Sequence, residues 1–121
     1  MLAAFIGAMG KIGSITVSSD WGTTNGAGST ITSPSRTMTV PGGNPGNVTL
    51  TKSADSAATE QYQIDAGSFT SFSTGAVVAI TNGQTLTFRM TGTAVTNLST
   101  ITVTDSTTGA AIGSWTGEDI S

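Results

Sequence analysis

The sequence predicts an all-β domain, and three observations carry that reading. Apolar residues recur at every second position through short segments, as in Asn47 to Lys52 (NVTLTK) and Gln84 to Met90 (QTLTFRM). That is the period of a strand with one buried face. Thr is the commonest residue, 24 of 121, and its branched β-carbon suits a pleated surface. Clusters of Gly, Pro and Asn punctuate the chain at intervals of about 8 to 15 residues, as turns do between short strands. Helical spacing of apolar residues appears only in a short stretch at the start.

Composition narrows what such a domain can do. The chain has 121 residues, enough for one domain. Charged residues make up 9%, with 4 basic against 7 acidic side chains and a net charge of −3. There is no Cys and no His. Disulfides, thiol nucleophiles, Cys/His zinc sites and the usual general base of a triad are therefore excluded. Four scattered cations cannot neutralise a run of phosphates, so a basic nucleic-acid face is excluded too. Abundant Ser, Thr and Gly could signal a disordered linker, but 36% hydrophobic residues at period two argue for a folded core. The expectation is a protein that is not an enzyme and holds no cofactor and no metal.

Residues 1–10 (MLAAFIGAMG) form an apolar run ending at Lys11. A membrane span needs about 20 such residues, so no membrane is crossed here. A signal peptide carries its positive charge before the apolar run, whereas here the charge follows. Three readings stay open: a strand or helical turn covering the domain's own core, an arm docking on another subunit, or a targeting segment. In the arm reading Met1, Leu2, Phe5, Ile6, Met9 and Ile12 are the partner-binding side chains. Ser14 to Trp21 (SITVSSDW) alternates like a strand, and Gly22 to Ser29 (GTTNGAGS) reads as a Gly-rich loop around Asn25-Gly26. The expected organisation is an arm and linker over residues 1–32 and a sandwich over 33–121.

From Ser33 onward the rhythm is regular. Met38 and Val40 share a face, PGGNPG (residues 41–46) turns the chain, and Val48 and Leu50 face inward with Thr49 and Thr51 outward. Tyr62 and Ile64 follow on a core face. Ala66-Gly67 turns toward Phe69 and Phe72, and GAVVAI (residues 75–80) gives another short strand before the Asn82-Gly83 turn. Leu86, Phe88 and Met90 are in register, as are Ile101 and Val103. DSTTG (residues 105–109) reads as a hairpin turn, and AAIGSWT (residues 110–116) as the last strand. Ile112 and Trp115 differ in parity, which places a bulge at Gly113 or turns one of them outward. About seven short strands result, the number and spacing of an immunoglobulin-like β-sandwich without a disulfide pin; an up-and-down barrel or jelly roll is the alternative.

Four segments carry a resemblance: TVPGGNPG (residues 39–46), YQIDAGSFT (62–70), ITNGQTLTFRMTG (80–92) and STTGAAIGSWT (106–116). Together they resemble the small Ig-like domains of bacteriophage virion and bacterial surface proteins, over about two thirds of the chain. The resemblance implies an Ig-like fold and a structural role in a phage particle, and it supplies no catalytic residue.

Individual candidates for chemistry are weak. The acids Asp20, Asp55, Glu60, Asp65, Asp105, Glu118 and Asp119 show no spacing that brings two together in a cleft, and most lie in turns. The Gly-rich stretches lack the following Lys-Ser/Thr and helix of a phosphate loop. Lys52, the one lysine in a core segment, is read as outward-facing, without a partner for an intramolecular isopeptide bond. Arg89 is read as a solvated strand charge that blunts edge pairing, with an ion pair to a neighbouring subunit as the other reading. Tyr62, Phe69 and Phe88, with Trp115, are read as the large core groups. Trp21 and Trp115 are the two aromatics that could stack on a glycan if exposed, with core or interface burial as the other reading of each.

Two functions follow as expectations. The first is a non-enzymatic capsid decoration subunit on the outer surface of the virion, its arm docked on the major capsid protein or another virion protein. Homo-oligomers, trimers among them, suit that use. The alternative is a tail or collar accessory protein, or an Ig-like module that binds host-surface carbohydrate.

Overall fold

The computed structural model describes residues 14–27, 30–43, 46–54, 59–91 and 98–120. The arm residues Met1, Leu2, Phe5, Ile6, Met9 and Ile12 lie outside the described residues. Eleven strands are described: β1 (Thr16–Val17), β2 (Gly22–Gly26), β3 (Thr30–Thr32), β4 (Arg36–Thr39), β5 (Gly46–Ala54) and β6 (Thr59–Ile64), then β7 (Thr70–Ser71), β8 (Ala76–Ile80), β9 (Thr85–Thr91), β10 (Leu98–Asp105) and β11 (Ala111–Asp119). They form two sheets, a β-sandwich. One runs β1-β4-β9-β6-β7 with β3 also on β9, and the other runs β2-β11-β10-β5-β8. Pairing is antiparallel except between β2 and β11.

The core lies between the sheets and is built by the expected period-two residues. Met38, Leu86, Phe88 and Met90 face Val48, Leu50, Ile101, Val103 and Trp115, and all nine are fully buried. Removing this much apolar surface from water is the main stabilising term, at about 25 cal/mol per Å². At Asn82-Gly83 the glycine takes φ 92°, a conformation side chains disfavour, while Asn82 Oδ1 accepts the Val40 N–H at 2.9 Å.

Two registers shift by one residue. Thr32 pairs with Arg89 but Arg36 with Leu86, so four residues on one side span three on the other. Ser33 covers the gap: its N–H donates to Phe88 O, and its hydroxyl accepts the Phe88 N–H at 2.8 Å. In the last hairpin Val103 pairs with Gly113 and Thr104 with Ala111, leaving Ile112 as the extra residue. The parity change read at Gly113 is therefore a bulge at its neighbour, and it lets Ile112 pack against the core while Trp115 stays inside.

The count of about seven strands is low, and the reason is local. The stretch read as a Gly-rich linker contains β2, which pairs in parallel with β11 from Trp115↔Gly22 to Asp119↔Gly26. An edge strand of Gly, Thr and Asn has no apolar alternation to betray it. Ile15, Trp21 and Ile31, all placed before residue 33, are buried core residues. Residues 14–27 and 30–32 thus belong to the sandwich rather than to a linker.

Candidate functional site

The two tryptophans are interior groups. Trp21 is 2% exposed and Trp115 fully buried. Trp21 meets Phe88 edge-on at 5.2 Å between centroids, and Trp115 stacks on the same ring at 6.3 Å. Their polar tips are satisfied inside: Trp21 Nε1 donates to Leu86 O at 2.9 Å and Trp115 Nε1 to Thr24 Oγ1 at 3.0 Å. Glycines make their seats. A Cβ on Gly117 would lie 2.5 Å from Trp115 Cη2, and one on Gly113 would lie 2.9 Å from Trp21 Cζ3. The surface-aromatic reading of Trp21 and Trp115 is corrected to burial, so neither ring is open to a sugar.

The structure instead brings together a polar cluster that sequence reasoning missed. Lys52 continues the inward face of Val48 and Leu50, and its ammonium lies 2.9 Å from Glu60 Oε1. Glu60 is 1% exposed and the Lys52 side chain 24%. Among the described residues Oε1 has no partner with hydrogen-bond geometry, so the contact to Lys52 is ionic. The ammonium donates instead to Phe72 O at 2.7 Å and rests 5.2 Å from the Phe72 ring centroid. The other carboxylate oxygen accepts the Ser99 hydroxyl at 2.6 Å. Glu60 stands on β6 of one sheet, Lys52 and Ser99 on β5 and β10 of the other, so the cluster ties the sheets together. The outward reading of Lys52 is overturned: residues 48, 50 and 52 share parity, and a carboxylate on the facing sheet accepts the charge.

Arg89 also departs from expectation. It lies on β9, which is flanked by β4 and β6 and is no edge. Its guanidinium sits 4.0 Å over the Phe69 ring, and Nε donates to Gln61 Oε1 at 2.8 Å. Phe69, read as a core group, is the half-buried platform of this outer-face stack.

The turn acids act on backbone. Asp105 accepts the N–H groups of Ile15, Thr107 and Thr108 at 2.9, 2.8 and 3.2 Å. Burial acts to raise its pKa, but these three donors outweigh it and hold the carboxyl below its ordinary value of 3.8. Asp20 accepts the Ser114 N–H at 2.7 Å beside the bulge, and Asp65 accepts the Thr85 N–H at 2.9 Å. Among the described residues no group of three or more His, Cys, Asp or Glu could hold a metal ion. Among them, too, no helix is long and apolar enough to cross a membrane.

Beyond an end row of Leu98, Glu118 and Asn25, what the second sheet shows to solvent is largely a lattice of hydroxyls. Register aligns Thr23, Thr116, Thr100 and Ser53 across four strands. Ser114, Thr102 and Thr51 form the next row, and Thr104, Thr49 and Val77 the one after. Thr100 and Thr116 share a hydrogen bond at 3.1 Å.

No protein-family profile matches the sequence, and no curated protein matches it. Among solved structures, the N-terminal domain of PorA is similar over 88% of this chain and 94% of that one, with a TM-score of 0.47 and 14% identity.

Proposed function

We propose that the protein is a non-enzymatic structural subunit of a bacteriophage particle: a capsid decoration protein with an Ig-like sandwich, held on the outer surface of the virion by its N-terminal segment. The observation that carries this reading is a pairing of two features. Ten uncharged, largely apolar residues at the start of the sequence precede a sandwich whose second sheet presents rows of neutral hydroxyls. A neutral surface packs against neighbours without stripping water from ions, and a short apolar segment gains by repetition over many copies. The partner in this reading is the major capsid protein or another virion protein.

Strand positions support the Ig-like reading. Constant-type Ig domains set strands A-B-E-D against C-F-G. Here β1-β4-β9-β6 stands against β5-β10-β11 in the same positions, with β8 added beside β5. One connection differs from the Ig order, because β6 precedes β8 in the chain. The four segments that carry the family resemblance fall largely on the β4–β5, β6–β7 and β10–β11 turns and on the β8–β9 turn with β9.

Cosedimentation with shells lacking the protein tests the proposal, comparing the full chain with one starting at Ser14. Binding by the full chain alone, with a raised shell disruption temperature, is the expected result. Failure of both to bind shells would refute capsid decoration and direct the same assay to tails and collars.

A further inference from the structure

Each sheet of an open sandwich ends in strands with unpaired backbone groups, and natural proteins protect such edges with shortness, charge, Pro or bulges. Among the described residues all edges but one fit that rule or carry polar residues, the three-residue β3 beside β9 included. β1 and β7 are two residues each, and β2 reads Gly-Thr-Thr-Asn-Gly. The exception, β8, reads Ala-Val-Val-Ala-Ile and pairs with β5 without a register shift from Gly46↔Ile80 to Leu50↔Ala76. Its Val77 is 61% exposed, the most exposed large hydrophobic side chain among the described residues, and Ala79 beside it is exposed. Val78 and Ile80 on the other face are buried in the core.

We propose that β8 is a homodimer edge, and that its partner is β8 of a second copy, paired antiparallel about a twofold axis through Val78. Three features favour a second copy as occupant. The edge is electrically self-complementary: no charged residue occurs between Asp65 and Arg89, and the neighbouring outward residues of β5 are Asn47, Thr49 and Thr51. The side chains are sterically self-complementary, because pairing about Val78 sets each exposed Val77 against the small Ala79 of the other copy. The same edge is used on both copies, so the assembly closes at two and joins two five-stranded sheets into one of ten. A five-residue edge buries well under the ~1,200–2,000 Å² of a standard stable interface. The dimer is therefore weak in free solution and forms where copies are concentrated, as on a repetitive surface.

The test is sedimentation equilibrium of the full chain from about 10 μM to 1 mM, spanning the range of weak interfaces. A concentration-dependent dimer is expected, and Val77→Lys should weaken it tenfold or more with far-UV circular dichroism unchanged. The native chain has no cysteine, so register can be read directly: Val77→Cys mixed with Ala79→Cys should cross-link as a heterodimer in higher yield than either variant alone. Should Val77→Lys misfold, Ala79→Lys and the cross-linking pair stand in for it. A chain that stays monomeric at 1 mM, a trimer, a dimer equally strong after Val77→Lys, or cross-linking without the mixed preference would each overturn the proposal.

Discussion

Lys52→Met isolates the inter-sheet ion pair. The substitution keeps the inward stem and removes the charge, leaving a Glu60 carboxylate that is 1% exposed with the Ser99 hydroxyl as its remaining described donor. Breaking a fully buried pair costs about 3–5 kcal/mol because the survivor is an uncompensated buried charge. Exposed pairs are worth about 0–1 kcal/mol. Lys52 is a quarter exposed, so some water reaches the ammonium side, and a cost of about 3 kcal/mol follows between those limits. For a chain of this size that lowers the midpoint of thermal unfolding by about 10–15 °C. Glu60→Met should cost less, about 1–2 kcal/mol, since the orphaned ammonium can turn to solvent and keep its bond to Phe72 O. The double variant should return to within about 1 kcal/mol of the native chain, because an apolar pair of similar volume replaces the ionic one. Urea titrations of all four proteins at pH 7 give the cycle, with an expected coupling energy of about 3–5 kcal/mol. A Lys52→Met cost under about 1 kcal/mol, or additive single costs, would refute the cluster as a buried electrostatic tie.

Two further outcomes follow from the core and the turns. Gly117→Ala drives a Cβ to within 2.5 Å of Trp115 Cη2 and 2.7 Å of Met90 Sδ; both belong to buried groups, so about 1–3 kcal/mol of overpacking strain is expected in the same titration. Asp105 holds a folded-state pKa below its ordinary 3.8. Its contribution is therefore present above that value and fades as pH falls through the lower folded one. Asp105→Asn should lose about 1–3 kcal/mol at pH 7 from its charged hydrogen bonds, and its stability should fall less steeply than the native chain's below pH 4, read by denaturation at stepped pH.

Much of the sandwich was legible because burial writes a period-two signal. Leu86, Phe88 and Met90, or Ile101 and Val103, could hardly be arranged otherwise. The inward direction of both ion-pair residues is legible by the same rule. Lys52 shares the parity of Val48 and Leu50, and Glu60 that of Tyr62 and Ile64, so two opposite charges pointed into one core. What parity could not supply was that they meet, since that depends on how β6 stacks over β5. β2 was illegible for a different reason. Its place is held by backbone pairing to β11, and Gly, Thr and Asn side chains record no buried face. The burial of Trp21 was hidden likewise, because it rests on a seat at Gly113, over ninety residues away.

Seven of the charges among the described residues have a common destination. Lys52 and Glu60 neutralise each other between the sheets, and Asp20, Asp65 and Asp105 fasten backbone N–H groups at turns and at the bulge. Arg89 lies over a phenyl ring, and Arg36 Nε donates to the Asp20 carbonyl. Most ionic groups among the described residues are thus spent on holding the fold, while the middle rows of the second sheet's outer face are left to Thr and Ser, with Glu118 in the end row beside Leu98 and Asn25. Such a surface has little electrostatic repulsion to keep copies apart, and ionic strength finds few charges on it to screen. Contacts on it should therefore respond to apolar and steric change far more than to salt. A weak dimer at β8 that survived 1 M NaCl but not Val77→Lys would show that logic at work; one dissolved by salt alone would mean that charges outside the sandwich drive association.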